Sequence, residues 1–183
     1  MEVKELIQNG LGNLQRTINR TLNSLTTAEL KWQPRSDANS IGLILFHIAR
    51  FEDSFIQSRL KGKPQLWESE KWYQKLDKAI TDSGAHYSAE QVAGFIVPKI
   101  EDLSGYSEAV RPKTLEYLKD ITADDLDRKV TLSPAVTPPG SVPAGRPPVE
   151  LTVGSILLFT LTHTAQHAGE ISYLRGLQRG MDK

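Results

Sequence analysis

The chain has 183 residues, enough for one domain with a sizeable core and too few to argue for two. Lysine plus arginine and aspartate plus glutamate both number 22, so no net field draws the protein to nucleic acid or an anionic membrane, and the absence of cysteine excludes disulfides, zinc-cysteine sites and a thiol nucleophile of its own. With 39% hydrophobic residues and no run near ~18 apolar residues, the composition predicts a folded, soluble, cytoplasmic chain with small-molecule or protein partners.

In chain order, Val3, Leu6, Ile7, Leu11, Leu14, Ile18, Leu22 and Leu25 recur at three- and four-residue steps, which predicts a first long amphipathic helix. Thr26 and Glu29 form a capping box for a short turn. Asn39 or Ser40 then caps a second long helix from Ile41 to about Leu60, with Ile44, His47, Ile48, Phe51 and Phe55 inward and Gly62 as its stop. The stretch Lys61 to Tyr87 has no sustained period but holds Trp67, Trp72, Tyr73 and Tyr87, the pattern of a functional or locally helical loop.

Ser88 with Gln91 is a second capping box and opens a short helix to Val97. A third long helix follows from about Pro98 to Asp120, with kinks expected at Gly105 and Pro112. Between Thr131 and Leu151 six prolines and the glycines Gly140 and Gly145 predict a stiff surface loop near the mouth of any site. Thr152 caps a final long helix to about Gln178. No strand-length alternation is visible, so the expected fold is all-α, a four-helix bundle with long crossover connections over residues 1–183.

Four histidines are present, and two of them, His163 and His167, lie four apart on the final helix, where both side chains can point at one ion. Ile156, Phe159, Thr160, Glu170, Ile171 and Leu174 share their angle, which marks this as the core face. Two imidazoles buried together must find partners while neutral or repel when charged, and a divalent ion removes that conflict. His47, His163 and His167 are therefore the candidate metal ligands, against the alternative of three hydrogen-bonded core histidines. Three neutral imidazoles suit zinc or nickel first, with copper and ferrous iron also compatible, and leave a position open for a water or a thiol.

His47 is 7 residues beyond Ser40, whereas His163 and His167 are 11 and 15 beyond Thr152. At about 1.5 Å per residue these depths coincide only if the helices are staggered or their caps lie at opposite ends. The run "HTAQH" lacks the glutamate of a zincin protease, and no Glu-x-x-His unit of a di-iron bundle occurs. Glu170, one turn beyond His167, is placed either to orient a ligand imidazole and act as general base or to pair with Arg175 or Lys31. His86 reads as a solvent-exposed loop residue, while Trp67, Trp72 and Tyr73 either wall a pocket or pack the loop onto the bundle.

Taken together, "LTTAELKWQP", "SIGLILFHIARFE" and "HTAQHAGEISYLRG", in that order, resemble the DinB-like superfamily. The resemblance implies a four-helix bundle, a metal held by His47, His163 and His167, and a homodimer. Some such proteins use a low-molecular-weight thiol in S-transfer or isomerisation, and others are described as metal hydrolases. Here Ala168, Gly169 and Glu170 follow His167, where many members carry arginine and then Gly-Gln, which makes this site more acidic. The expected function is a metal-dependent enzyme that activates an external thiol, as cosubstrate, or water. The alternative is a non-catalytic metal or small-molecule binding module of a stress response.

Overall fold

Four long helices carry the fold of the computed structural model, which describes residues 2–132 and 148–180. They are α1 (Val3–Leu22), α3 (Ile41–Asp53), α7 (Ile100–Asp120) and α9 (Val153–Arg179). Between them lie the short helices α2 (Thr27–Lys31), α4 (Leu66–Ser69), α5 (Trp72–Lys75), α6 (Ala89–Ala93) and α8 (Ala123–Asp127). Helix α1 packs on α9, α9 on α3, α3 on α7 and α7 on α1, which closes a ring of neighbours around the core. The all-α class expected from the periodicity holds, and among the described residues no helix is long and apolar enough to cross a membrane.

Local chemistry starts these helices where the sequence signals them. The Ser40 hydroxyl accepts a hydrogen bond from the Leu43 amide at 3.2 Å, and Thr152 does the same for Ser155 at 3.1 Å. Capping boxes form at Thr26/Glu29 and Ser88/Gln91, and another at Thr122/Asp125 opens α8. Helix α7 runs unbroken through Gly105 and Pro112. Proline removes one backbone donor there, but Tyr106, Val110, Thr114 and Leu118 are all buried, and that packing holds the helix.

Three departures from the sequence reading have physical causes. A two-stranded antiparallel hairpin, β1 (Lys129–Leu132) with β2 (Val149–Thr152), flanks the proline-rich stretch in the register Lys129 to Thr152 and Leu132 to Val149. Both strands, Lys-Val-Thr-Leu and Val-Glu-Leu-Thr, alternate polar and apolar residues, but only over four positions each and beside a proline-rich stretch, where so short an alternation is easily passed over. Residues 133–147, and with them the stiff loop expected at the site mouth, lie outside the described residues. At the other end of the chain, Val3 and Leu6 are more than half exposed, because the buried stripe of α1 runs through Ile7, Leu11 and Ile18.

The third departure is in the second long helix. From Ser54 to Leu60 it continues with π-helical pairing, as in the bond from the Lys61 amide to the Ile56 carbonyl five residues back. In an α-helix every fourth residue rotates about 40° further round the axis, whereas the wider π turn checks that drift. Phe51, Phe55 and Arg59 consequently stay in one column, with the phenyl rings stacked at 4.0 Å and the guanidinium 3.9 Å above Phe55.

The core divides into two clusters along α3 and α9. Residues Ile41 to Ala49 of α3 join Ala168, Ile171 and Leu174 of α9, while Phe55, Ile56 and Leu60 join Val153, Ile156 and Leu157. Higher numbers on one helix meet lower numbers on the other, so α3 and α9 are antiparallel and the caps Ser40 and Thr152 lie at opposite ends. That arrangement resolves the depth mismatch of the histidines, which sit where the two clusters meet.

Candidate metal centre

His47 from α3 and His163 and His167 from α9 converge at that junction. The Nε2 atoms of His47 and His163 are 3.0 Å apart, and those of His163 and His167 are 3.2 Å apart. Among the described residues this is the one group of three or more metal-ligating side chains that comes together. Ligand nitrogens at 2.0–2.1 Å from a tetrahedral ion stand about 3.3 Å from one another, so the spacing fits a shared ion. Without one, neutral rings meet at these distances only where one of each pair carries its proton on Nε2 and donates it to the other, and any further proton brings charge into a half-buried place.

Each ring is oriented by a different neighbour. Phe51, one turn beyond His47, stacks on the His163 imidazole with centroids 3.8 Å apart and planes 15° from parallel. The Glu170 carboxylate lies 2.8 Å from His167 Nδ1, so it accepts that proton and leaves Nε2 to face the other two rings. The alternative ion pairs of Glu170 with Arg175 or Lys31 are not formed among the described residues. The Ser83 backbone approaches His47 in the sense that favours its charged form, but Nδ1 closes no hydrogen bond, and neither does His163 Nδ1.

Of the face predicted for α9, Ile156, Thr160, Ile171 and Leu174 are buried, and Leu157, Thr164 and Ala168 join them, whereas Phe159 is 47% exposed and the Glu170 side chain 50%. Thr160 and Thr164 satisfy their hydroxyls on the carbonyls of Ile156 and Thr160, which lets both be buried without a partner from another helix. The histidines therefore stand at the rim of the buried stripe and open into a cleft of about 890 Å³. Tyr87 and the exposed His86 also line it, whereas Trp67, Trp72 and Tyr73 do not. Trp67 is fully buried and donates to the Ile80 carbonyl at 2.7 Å, Tyr73 lies against it, and Trp72 packs on Tyr106.

Sequence reasoning missed Gly84, which adopts φ +69° where the loop closes over α3. A Cβ there would stand 2.8 Å from the Phe46 ring and 3.2 Å from His47 Cα, so only glycine lets the loop lie this close. Glycine next to a turn was the available signal. The loop is tethered by Arg50, whose Nε donates to the Asp82 carbonyl at 3.0 Å, and by the Tyr87 hydroxyl, which donates to the Asp82 carboxylate.

The family model for the DinB superfamily matches residues 11–171. The chain belongs to the DinB superfamily. A solved structure from Enterococcus faecalis, described as a conserved protein, is similar to this DinB protein with a TM-score of 0.77 and 26% identity over 97% of both chains. No curated protein matches the chain. Superfamily membership and the three-histidine cluster arrive by separate routes, one from the whole chain and the other from side-chain geometry.

Burial, and next the charge of His167, holds the His47 pKa down at about 4 and that of His163 at about 3, against an ordinary value of 6.5. Both values lie below those of the unfolded chain, so the unfolded state takes up protons first as pH falls. The metal-free protein should thus lose stability from about pH 6.5 downward until those folded-state values are reached. Urea midpoints at pH 7 and pH 5 check this: the wild type should drop, and the His47→Gln/His163→Gln double variant should drop less. Equal drops would contradict it.

Proposed function

We propose that this DinB protein is a metal-dependent enzyme in which His47, His163 and His167 hold one divalent ion, zinc or nickel first. The observation that carries the reading is the convergence of three Nε2 atoms at 3.0 and 3.2 Å in the wall of an open cleft. A structural site would be closed, whereas three protein ligands beside a cleft leave room for a reactant. When bound, the ion supplies Lewis acidity that makes an external thiol or a water nucleophilic at neutral pH.

The chain's own residues supply the remaining parts. Glu170 fixes the His167 tautomer and, half exposed at the rim, is positioned to take a proton from the incoming nucleophile. Having no cysteine, the protein offers no competing thiol, which suits a low-molecular-weight thiol as cosubstrate in S-transfer. The small molecule attacked would enter beside Tyr87 and His86. Exposed Val3, Leu6, Leu158 and Leu177 on α1 and α9 support the homodimer as part of the same reading.

The test is conjugation of a thiol to a reactive electrophile by metal-loaded protein. Turnover above the uncatalysed rate with one of a panel of small thiols is expected, and absence of turnover with every thiol, and of hydrolysis, at full metal occupancy would favour a binding module. Glu170→Gln should weaken the metal by about 10–100-fold, the usual cost of losing an outer hydrogen-bond partner. Competition with a chromophoric chelator measures this, and unchanged affinity would remove Glu170 from the centre.

A further inference from the structure

The cleft that holds the histidines also holds Arg59, at the far end of the column that begins on His163. From the imidazole, Phe51 lies at 3.8 Å, Phe55 is 4.0 Å further on, and the Arg59 guanidinium is 3.9 Å beyond that. These three spacings bound the distance from the cation to the histidines. Arg59 makes no hydrogen bond or ion pair among the described residues, and its Nε is buried without a partner. Burial also lowers its pKa, and no counter-charge among the described residues offsets that effect.

The other charged groups of the cleft do not neutralise it. Arg50 is committed elsewhere, its Nε to the Asp82 carbonyl and its Nη1 to Gln65 and the Tyr106 hydroxyl, with the Asp53 carboxylate 3.9 Å away. Glu68 lines the cleft but forms no ion pair with Arg59. A half-buried guanidinium with an unsatisfied donor, set in an open cleft, is complementary to a planar or tetrahedral oxyanion. The stacked phenyl rings between it and the imidazoles present apolar surface, which excludes a second charge from the middle of any molecule spanning the two ends.

We propose that the molecule handled at this site carries a carboxylate or phosphate that pairs with Arg59, an apolar middle that lies along Phe51 and Phe55, and a reactive group at the other end that reaches the three histidines. The proposal rests on the metal-site reading for that last contact, but not for the pairing with Arg59. Arg59 thereby sets specificity, and the permitted distance between anion and reactive group is fixed by the π-helical column.

The test titrates metal-free and zinc-loaded protein with 6-mercaptohexanoate, 6-mercaptohexyl phosphate and neutral 6-mercaptohexanol, read by calorimetry and by the Arg59 Nε–H resonance. One of the two anions should bind about tenfold more tightly than the alcohol, the range of a charge-assisted hydrogen bond, and should move that resonance. Which anion wins distinguishes carboxylate from phosphate. Arg59→Met should abolish the preference while thermal midpoint, zinc content and affinity for the alcohol stay at wild-type levels, and Arg59→Lys should retain part of it. Failure of both anions to move the resonance, or a preference that survives Arg59→Met, would overturn the proposal. A protein that takes up no zinc yet keeps the Arg59-dependent preference would sink the metal reading and leave the anion pairing standing.

Discussion

His163→Ala and His167→Ala should each abolish tight metal binding, with losses beyond the roughly 10–100-fold expected for an outer partner, while His86→Ala should leave the metal in place. The geometry dictates the contrast. His163 touches both other rings at the convergence point, whereas His86 is exposed on the loop wall with a left-handed backbone and is not in the triad. His163→Ala also removes the surface on which Phe51 stacks, so its folding midpoint should be compared with that of His167→Ala. Metal content after dialysis against a weak chelator reads the result. Loss of metal in the His86 variant alone would mean that the ligand set is wrong.

Asp53→Ala should destabilise the protein by about 3–5 kcal/mol, the range for leaving buried charged and polar partners without their counterpart. Asp53 is 0% exposed and sits where α3 hands over to its π-helical extension. Its two oxygens accept the Leu66 and Trp67 amides at 3.0 and 2.9 Å and the Tyr106 hydroxyl at 2.7 Å, with Arg50 3.9 Å away. Burial pushes its pKa up and these donors pull it back down, which is the balance the alanine removes. Because Arg50 in turn tethers the loop at Asp82, the same change should loosen the segment that closes over His47. Urea unfolding gives the stability, and a loss under about 1 kcal/mol would show that the network adds little beyond ordinary burial.

Much of this was legible in the chain because it depends on neighbours in sequence. Ser40 and Thr152 announced their helices, and a four-residue histidine spacing can be read without knowing the fold. On α9 only Phe159 and Glu170 of the predicted face stand at its rim, because the angle that Glu170 shares with Ile156 says nothing of its charge, and hydropathy undervalues Thr164 and Ala168, which are buried. The antiparallel pairing of α3 and α9, and hence the arrival of His47 at the pair, depends on long connections that sequence spacing leaves open.

Long-range contacts concealed the rest. Helix α4 starts where it does because the Asp53 side chain, more than ten residues earlier, caps its first amides. The π-helical turn has no composition of its own, so the column from His163 to Arg59 was not visible, although Phe51, Phe55 and Arg59 stand at steps of four. Nothing beside Gly84 in the sequence marks this close approach, and only the fold shows that a Cβ there would stand 2.8 Å from the Phe46 ring. In each case a contact between residues distant in sequence decided a local conformation.

The most direct test of the metal centre is elemental analysis of protein purified without a histidine tag, before and after reconstitution with zinc or nickel. One divalent ion per chain is expected, retained through dialysis and lost in the His163→Ala and His167→Ala variants. Metal well below one per chain that reconstitution cannot restore would contradict it, and would leave His47, His163 and His167 as packed side chains at the junction of two hydrophobic clusters.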